Sequence, residues 1–148
     1  MIIFRTRKKF RETKDRKHLV YVNFKIRSNR DVRTRIRNVY DKLGYHETRP
    51  NLTLPEYWQE VINSKFVLSP PGNGEDCMRT WEAIYLGAIP IVTNSSQMWP
   101  LFKQVPVLAV NEGEEAKVND DFLNSYEPTA KSRQLLLADY WFQRIHSF

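Results

Sequence analysis

Phe66-Val67-Leu68-Ser69-Pro70-Pro71-Gly72-Asn73-Gly74-Glu75-Asp76-Cys77-Met78-Arg79-Thr80-Trp81-Glu82-Ala83-Ile84-Tyr85-Leu86-Gly87-Ala88-Ile89-Pro90-Ile91-Val92 is the stretch that decides the fold of this chain. Phe66 to Ser69 reads as a strand, and Gly72 and Gly74 flank Asn73 in a tight loop. Asp76 to Leu86 has helical spacing closed by Gly87, and Ile89 to Val92 is a second buried strand. Such a unit presents free backbone N–H groups where the helix begins, and an anion is held naturally there. Arg79 lies in the first turns of that helix, with Glu82 three residues on. A nucleoside diphosphate needs a cation for its phosphates and an acceptor for its ribose hydroxyls, and both residue types stand one turn apart.

Outward from this unit, strands and helices alternate. His18 to Phe24 is a short β-branched run suited to a buried strand. Ser28 or Asn29 can cap a helix reaching Leu43, with Gly44 in the stop position. Val32, Ile36, Val39, Tyr40 and Leu43 recur at helical intervals, so one face goes to a core. Arg33, Arg35 and Arg37 cannot share a face, and most of them are expected to be solvated. Tyr45 to Pro50 reads as a connector, and Thr53, with Pro55 and Glu56 behind it, caps a helix from Leu54 to about Asn63. Val105 to Val110 is a further strand, Asn111 to Asp121 a polar loop, and Lys131 to about Ile145 a terminal helix. The pattern predicts an α/β, Rossmann-like parallel sheet flanked by helices over residues 18–148, preceded by a basic arm at residues 1–17. Ligands on such sheets lie beyond the carboxyl ends of the strands, which points to Ser69–Asp76 and Thr93–Gln97.

Composition narrows the function. A chain of 148 residues, 41% hydrophobic and 13% aromatic, is large and apolar enough for one domain with a core. No apolar run reaches the roughly 20 residues of a membrane span, and the start lacks the apolar stretch of a signal peptide. One cysteine excludes an internal disulfide. A cytoplasmic setting is therefore expected. The net charge of +6 divides unevenly, with +11 in residues 1–49 and −5 in the remainder. Arg5, Arg7, Lys8, Lys9, Arg11, Lys14, Arg16 and Lys17 form one cluster, and Arg30, Arg33, Arg35 and Arg37 another. A polyanion is one reading of this. The other is a solvated arm plus an exposed helix face. No nucleic-acid motif accompanies the charge, so nucleic acid is not the expected partner.

The glycines fit neither the dinucleotide fingerprint, which needs a third glycine, nor a Walker loop, which needs Gly-Lys-Ser/Thr. Arg79 can serve a phosphate or pair with Asp76 or Glu82, and the residues alone leave this open. Glu82, beside Trp81 and Ala83, needs either hydroxyls or Arg79 as partners. Cys77 reads as a structural thiol. His18, His46 and His146 are scattered and no Asp-x-Asp occurs, so neither a metal nor another cofactor is expected.

Pro70-Pro71-Gly72-Asn73-Gly74, Arg79-Thr80-Trp81-Glu82-Ala83, Leu86-Gly87-Ala88-Ile89-Pro90-Ile91-Val92 and Trp99-Pro100-Leu101-Phe102, in this order, resemble the exostosin-like glycosyltransferases. The resemblance implies the C-terminal, donor-binding domain of a GT-B glycosyltransferase, which transfers a sugar from a nucleotide diphosphate sugar to an acceptor without metal. It implies that Arg79 contacts the donor diphosphate and that Glu82 holds the ribose hydroxyls. Gly72, Asn73 and Gly74 would lie against phosphates or sugar, with Ser69 and Asp76 bordering the same nucleotide-sugar site. An acceptor-binding domain, which would supply the catalytic base, is an implied partner, and no catalytic residue is assigned here. The sequence departs from related retaining enzymes in lacking the Glu-x7-Glu pair, since Gly74 stands eight residues before Glu82. It also has Met78 where relatives with this motif often carry histidine. A non-catalytic sugar-nucleotide-binding module is the alternative function, and a basic nucleic-acid-binding domain a more distant one.

Overall fold

The computed structural model describes residues 16–49 and 51–129. The elements run β1 (His18–Tyr21), α1 (Arg30–Lys42), α2 (Leu54–Ile62), β2 (Ser64–Leu68), α3 (Met78–Tyr85), β3 (Ile89–Thr93), α4 (Trp99–Phe102), β4 (Leu108–Val110) and α5 (Asp120–Ser125), with a 3-10 turn at Glu115–Lys117 before α5. The four strands form one parallel sheet in the order β1-β2-β3-β4. This is the Rossmann-like α/β layout expected from the alternation of strands and helices.

Val22 makes a further parallel bridge to Glu47. Because the β1–β2 register sets Tyr21 against Val67, the β2 side of Val22 belongs to Leu68. Glu47 therefore lies on the opposite edge of β1. After β1 the chain steps outward to Glu47, then returns past β1 to β2 and continues to β3 and β4. The winding direction reverses between β1 and β2, and in open α/β sheets ligands bind beyond the carboxyl ends of the strands at such a reversal.

Both faces of the sheet are covered, which explains why Phe66–Leu68 and Ile89–Val92 are continuous apolar runs rather than alternating ones. Phe66, Leu68, Ile89, Ile91, Leu108 and Val110 point to the face where Ile36 and Tyr40 of α1 and Leu123 of α5 pack. On the other face Tyr21 and Val67 meet Val61 of α2 and Ala83 of α3. Val92 meets Ile84, Phe102 and Val105 on that side.

Local chemistry sets the ends of the helices. The Glu56 carboxylate accepts from the Thr53 N–H at 2.8 Å and from its hydroxyl at 2.7 Å, fixing the start of α2. Gly44 follows α1 with φ +89°, the left-handed position that ends helices. Asn29 does stand at the cap of α1, but in the left-handed conformation and without a side-chain cap bond.

Several boundaries differ from the sequence reading. The strand expected at Phe66–Ser69 starts at Ser64, because Ser64 and His18 are already paired. The first strand stops at Tyr21, and only Leu108–Val110 of the expected Val105–Val110 strand joins the sheet. α3 begins at Met78 rather than Asp76, since Cys77 is extended and takes the cap position. The Asn111–Asp121 loop holds the 3-10 turn and the start of α5, which the Asn119 side chain caps through the Phe122 N–H at 3.0 Å. The expected terminal helix at Lys131–Ile145 and most of the basic arm lie outside the described residues.

Candidate functional site

The crevice at the winding reversal is bordered by the loop after β1, the glycine loop after β2 and the first turn of α3. Ser69 ends β2 with its N–H on the Ile91 carbonyl at 2.9 Å. Its buried hydroxyl meets that of Thr80 at 2.9 Å, so the strand end is tied directly to the first turn of α3. With Cys77 at the cap, Met78 and Arg79 occupy the first two helical positions, where backbone N–H groups lack helical partners. Met78 is 78% exposed at this edge.

Arg79 forms no ion pair among the described residues. Both carboxylates that could have neutralised it are engaged elsewhere. Asp76 accepts from the Trp81 indole N–H at 2.5 Å, and Glu82 accepts from the Tyr57 hydroxyl at 3.0 Å. Of the Arg79 guanidinium, one terminal nitrogen makes a 3.8 Å contact with Cys77 Sγ. Its buried Nε has no hydrogen-bond partner among the described residues. A guanidinium has five donors, so most of this one's capacity is unused.

A second guanidinium stands behind the glycine loop. Arg33 of α1, 7% exposed, donates from Nε to the Pro71 carbonyl at 2.8 Å, from Nη1 to the Lys25 carbonyl at 2.6 Å and from Nη2 to the Pro70 carbonyl at 3.5 Å. Its partners are carbonyls, not carboxylates, so its full charge remains at the crevice. Burial holds its pKa below the usual guanidinium value, and the positive charge of Arg79 pushes the same way. Gly72 lies against this group: a Cβ on it would come within 3.1 Å of Arg33 Nη2. The position is tight for a side chain because of this close approach, not because of an unusual φ. Asn73 and Gly74 are exposed at the loop tip, and the Gly74 carbonyl accepts from the Gly72 N–H at 3.0 Å.

The expectation that most of Arg33, Arg35 and Arg37 are solvated is corrected. Arg35 bonds Glu115 at 2.6 Å and Glu112 at 3.1 Å. Arg37 bonds Glu47 at 2.6 Å and sits over the Phe24 ring, 4.5 Å from its centroid. These residues are held because the acidic 3-10 segment and the Glu47 edge fold back across α1, which no local spacing announces. Arg33 is the site residue that sequence reasoning missed. Its only sequence signal is a charge placed one residue after Val32 on a helix with a buried face.

On the far side of α3 a polar pair continues the site. Burial raises the Tyr57 pKa well above that of a free phenol; the Arg79 charge opposes the shift and Glu82 adds to it. The phenol therefore stays protonated and donates to one oxygen of the Glu82 carboxylate. Tyr21 packs beside Tyr57 with ring centroids 6.2 Å apart, and its hydroxyl accepts from the Asn23 amide at 2.8 Å. Of the residues singled out in the sequence, the fold brings Arg79, Gly72 and the α3 start together at the crevice. Glu82 lies one turn further along, while Ser69 and Asp76 bond within the protein. Among the described residues no three His, Cys, Asp or Glu side chains gather as a metal-ligand group.

The four-stranded parallel sheet flanked by helices defines a Rossmann-like α/β domain. The chain belongs to the family described as the RXYLT1 C-terminal domain, which it matches over residues 9–100. That family is exostosin-related and so related to glycosyltransferases. Among curated proteins, none matches the chain.

Proposed function

We propose that this chain is the donor-binding domain of a GT-B glycosyltransferase and that it holds a nucleotide diphosphate sugar at the crevice between β1 and β2. The observation that carries the reading is Arg79: a half-buried guanidinium at a helix start, without a carboxylate partner among the described residues, beside the equally uncompensated Arg33. Two cationic groups in one low-dielectric crevice repel each other unless an anion lies between them, and a diphosphate supplies one. Glu82, oriented by Tyr57, would accept from the ribose hydroxyls.

In the transfer, the bond between the anomeric carbon and the diphosphate oxygen breaks as the acceptor hydroxyl oxygen bonds to that carbon. The acceptor proton goes to a base on the acceptor side. Negative charge grows on the departing diphosphate, and Arg79 with the N–H groups of Met78 and Arg79 would stabilise it.

Calorimetric titration with UDP, GDP and CDP in EDTA tests this reading. Selective binding of one nucleotide, lost in Arg79→Ala with an unchanged unfolding midpoint, is the expected result. Equal binding by the variant would overturn the assignment of Arg79.

A further inference from the structure

One strand over from the crevice, the loop after β3 and the start of α4 form an open pocket of about 350 Å³ lined by Asn94, Ser96, Trp99 and Pro100. Trp99 exposes 47% of its surface there, an unusual disposition for the largest apolar side chain. The short helix that carries it is anchored. The Trp99 N–H bonds the Ser95 carbonyl at 2.9 Å, and Phe102 on the same short helix is buried against the Trp81 ring. Asn94 is held on both sides, by its N–H to the Val110 carbonyl at 2.7 Å and by its Nδ2 to Asn111 Oδ1 at 2.8 Å. That second bond orients its amide oxygen as a free acceptor.

We propose that this pocket is a saccharide subsite, with a sugar ring packed on the Trp99 indole and its hydroxyls met by Asn94 and Ser96. The inference rests on the donor-binding reading of the crevice next to it. A sugar ring has one apolar C–H face and a rim of hydroxyls. An indole face attracts C–H hydrogens through its quadrupole. A neutral amide and a hydroxyl match the rim without the desolvation cost of charged groups. Position favours a sugar over a nucleobase. Ser95 Oγ donates to the Glu75 carboxylate, joining this loop to the glycine loop. Glu82 faces the other way, toward Tyr57 on α2. A nucleotide with phosphates at Arg79 and ribose at Glu82 therefore carries its base toward α2 and its far phosphate toward Trp99.

The sugar can be the donor's own or the acceptor's, and the test separates them. The full chain, Trp99→Ala and Trp99→Phe are titrated with UDP, GDP and CDP, with UDP-glucose, UDP-galactose, GDP-mannose and CDP-glucose, and with methyl glucoside and lactose. The expected result is that a sugar-bearing probe binds and loses at least tenfold in affinity in Trp99→Ala, with Trp99→Phe recovering part of it and the nucleoside diphosphates unaffected. A loss confined to the nucleotide sugars assigns the donor's sugar, and a loss confined to the free saccharides assigns the acceptor's. Equal weakening of UDP, GDP or CDP would overturn the proposal in favour of a stacked base. Sugar-bearing probes that never bind better than their sugarless counterparts would overturn it too. Failure of all nucleotides in the parent chain would instead strike the reading of the crevice, while the free saccharides still report on Trp99.

Discussion

α1 and α3 each bring arginines to the sheet, and they do opposite things with them. Three of the four arginines of α1 are engaged: Arg33 donates to three carbonyls, Arg35 to Glu112 and Glu115, and Arg37 to Glu47 and the Phe24 carbonyl. The one arginine of α3 keeps its charge free of carboxylates among the described residues, although Asp76 and Glu82 stand three residues either side of it. Density of charge in the sequence therefore points to α1, while availability of charge points to α3. An anion follows the second, because Arg35 and Arg37, paired with carboxylates, offer it little, while Arg33, held by carbonyls alone, adds its charge from behind the glycine loop.

The sharpest way to break this contrast is to remove both kinds of arginine and read stability and binding separately. Arg33→Ala leaves up to three carbonyls without donors and a hole beneath the glycine loop, so it should destabilise the fold by about 3 kcal/mol in urea unfolding. Arg79→Ala should leave the unfolding midpoint almost unmoved yet weaken nucleoside diphosphate binding by about 2 kcal/mol in calorimetry. If Arg33→Ala were tolerated, or Arg79→Ala unfolded the chain, the division between structural and available charge would be wrong.

Smaller changes sharpen it. In Gly72→Ala the new methyl meets Arg33 Nη2 at 3.1 Å, so the buried guanidinium must give by a few tenths of an ångström against its carbonyls. A loss of about 1 kcal/mol in stability is expected, together with weaker diphosphate binding. Tyr57→Phe removes the proton that orients Glu82 and should lower the preference for a ribonucleotide over its 2′-deoxy analogue by about 1 kcal/mol, read from paired titrations. The smallest effect is expected at the Thr53–Glu56 cap. The Thr53 hydroxyl, then its N–H, holds the Glu56 carboxyl below its usual value. A depressed folded-state pKa gives stability that is present above the unfolded value and lost as pH falls through the folded one. Glu56→Gln should accordingly flatten the acid limb of the stability profile, followed by circular dichroism.

The sequence alone determined the unit from Phe66 to Val92, since strand, glycine loop, helix and strand each have a local cause: apolar run length, glycine spacing, helical period and the Gly87 stop. It also placed Arg79 at a helix start. It misplaced the edges by two residues or so where pairing, not propensity, decides them, as at Ser64 opposite His18. It read Asn111–Asp121 as a loop because the 3-10 turn and the Asn119 cap are short and polar. Only the tertiary structure decided which arginines are free. Arg35 meets Glu115 across 80 positions, Arg33 meets Pro71 across 38, and Tyr57 meets Glu82 across 25. Local spacing governs bonds within a helix or a turn. The charge left over for a ligand is what remains after distant segments have been brought together.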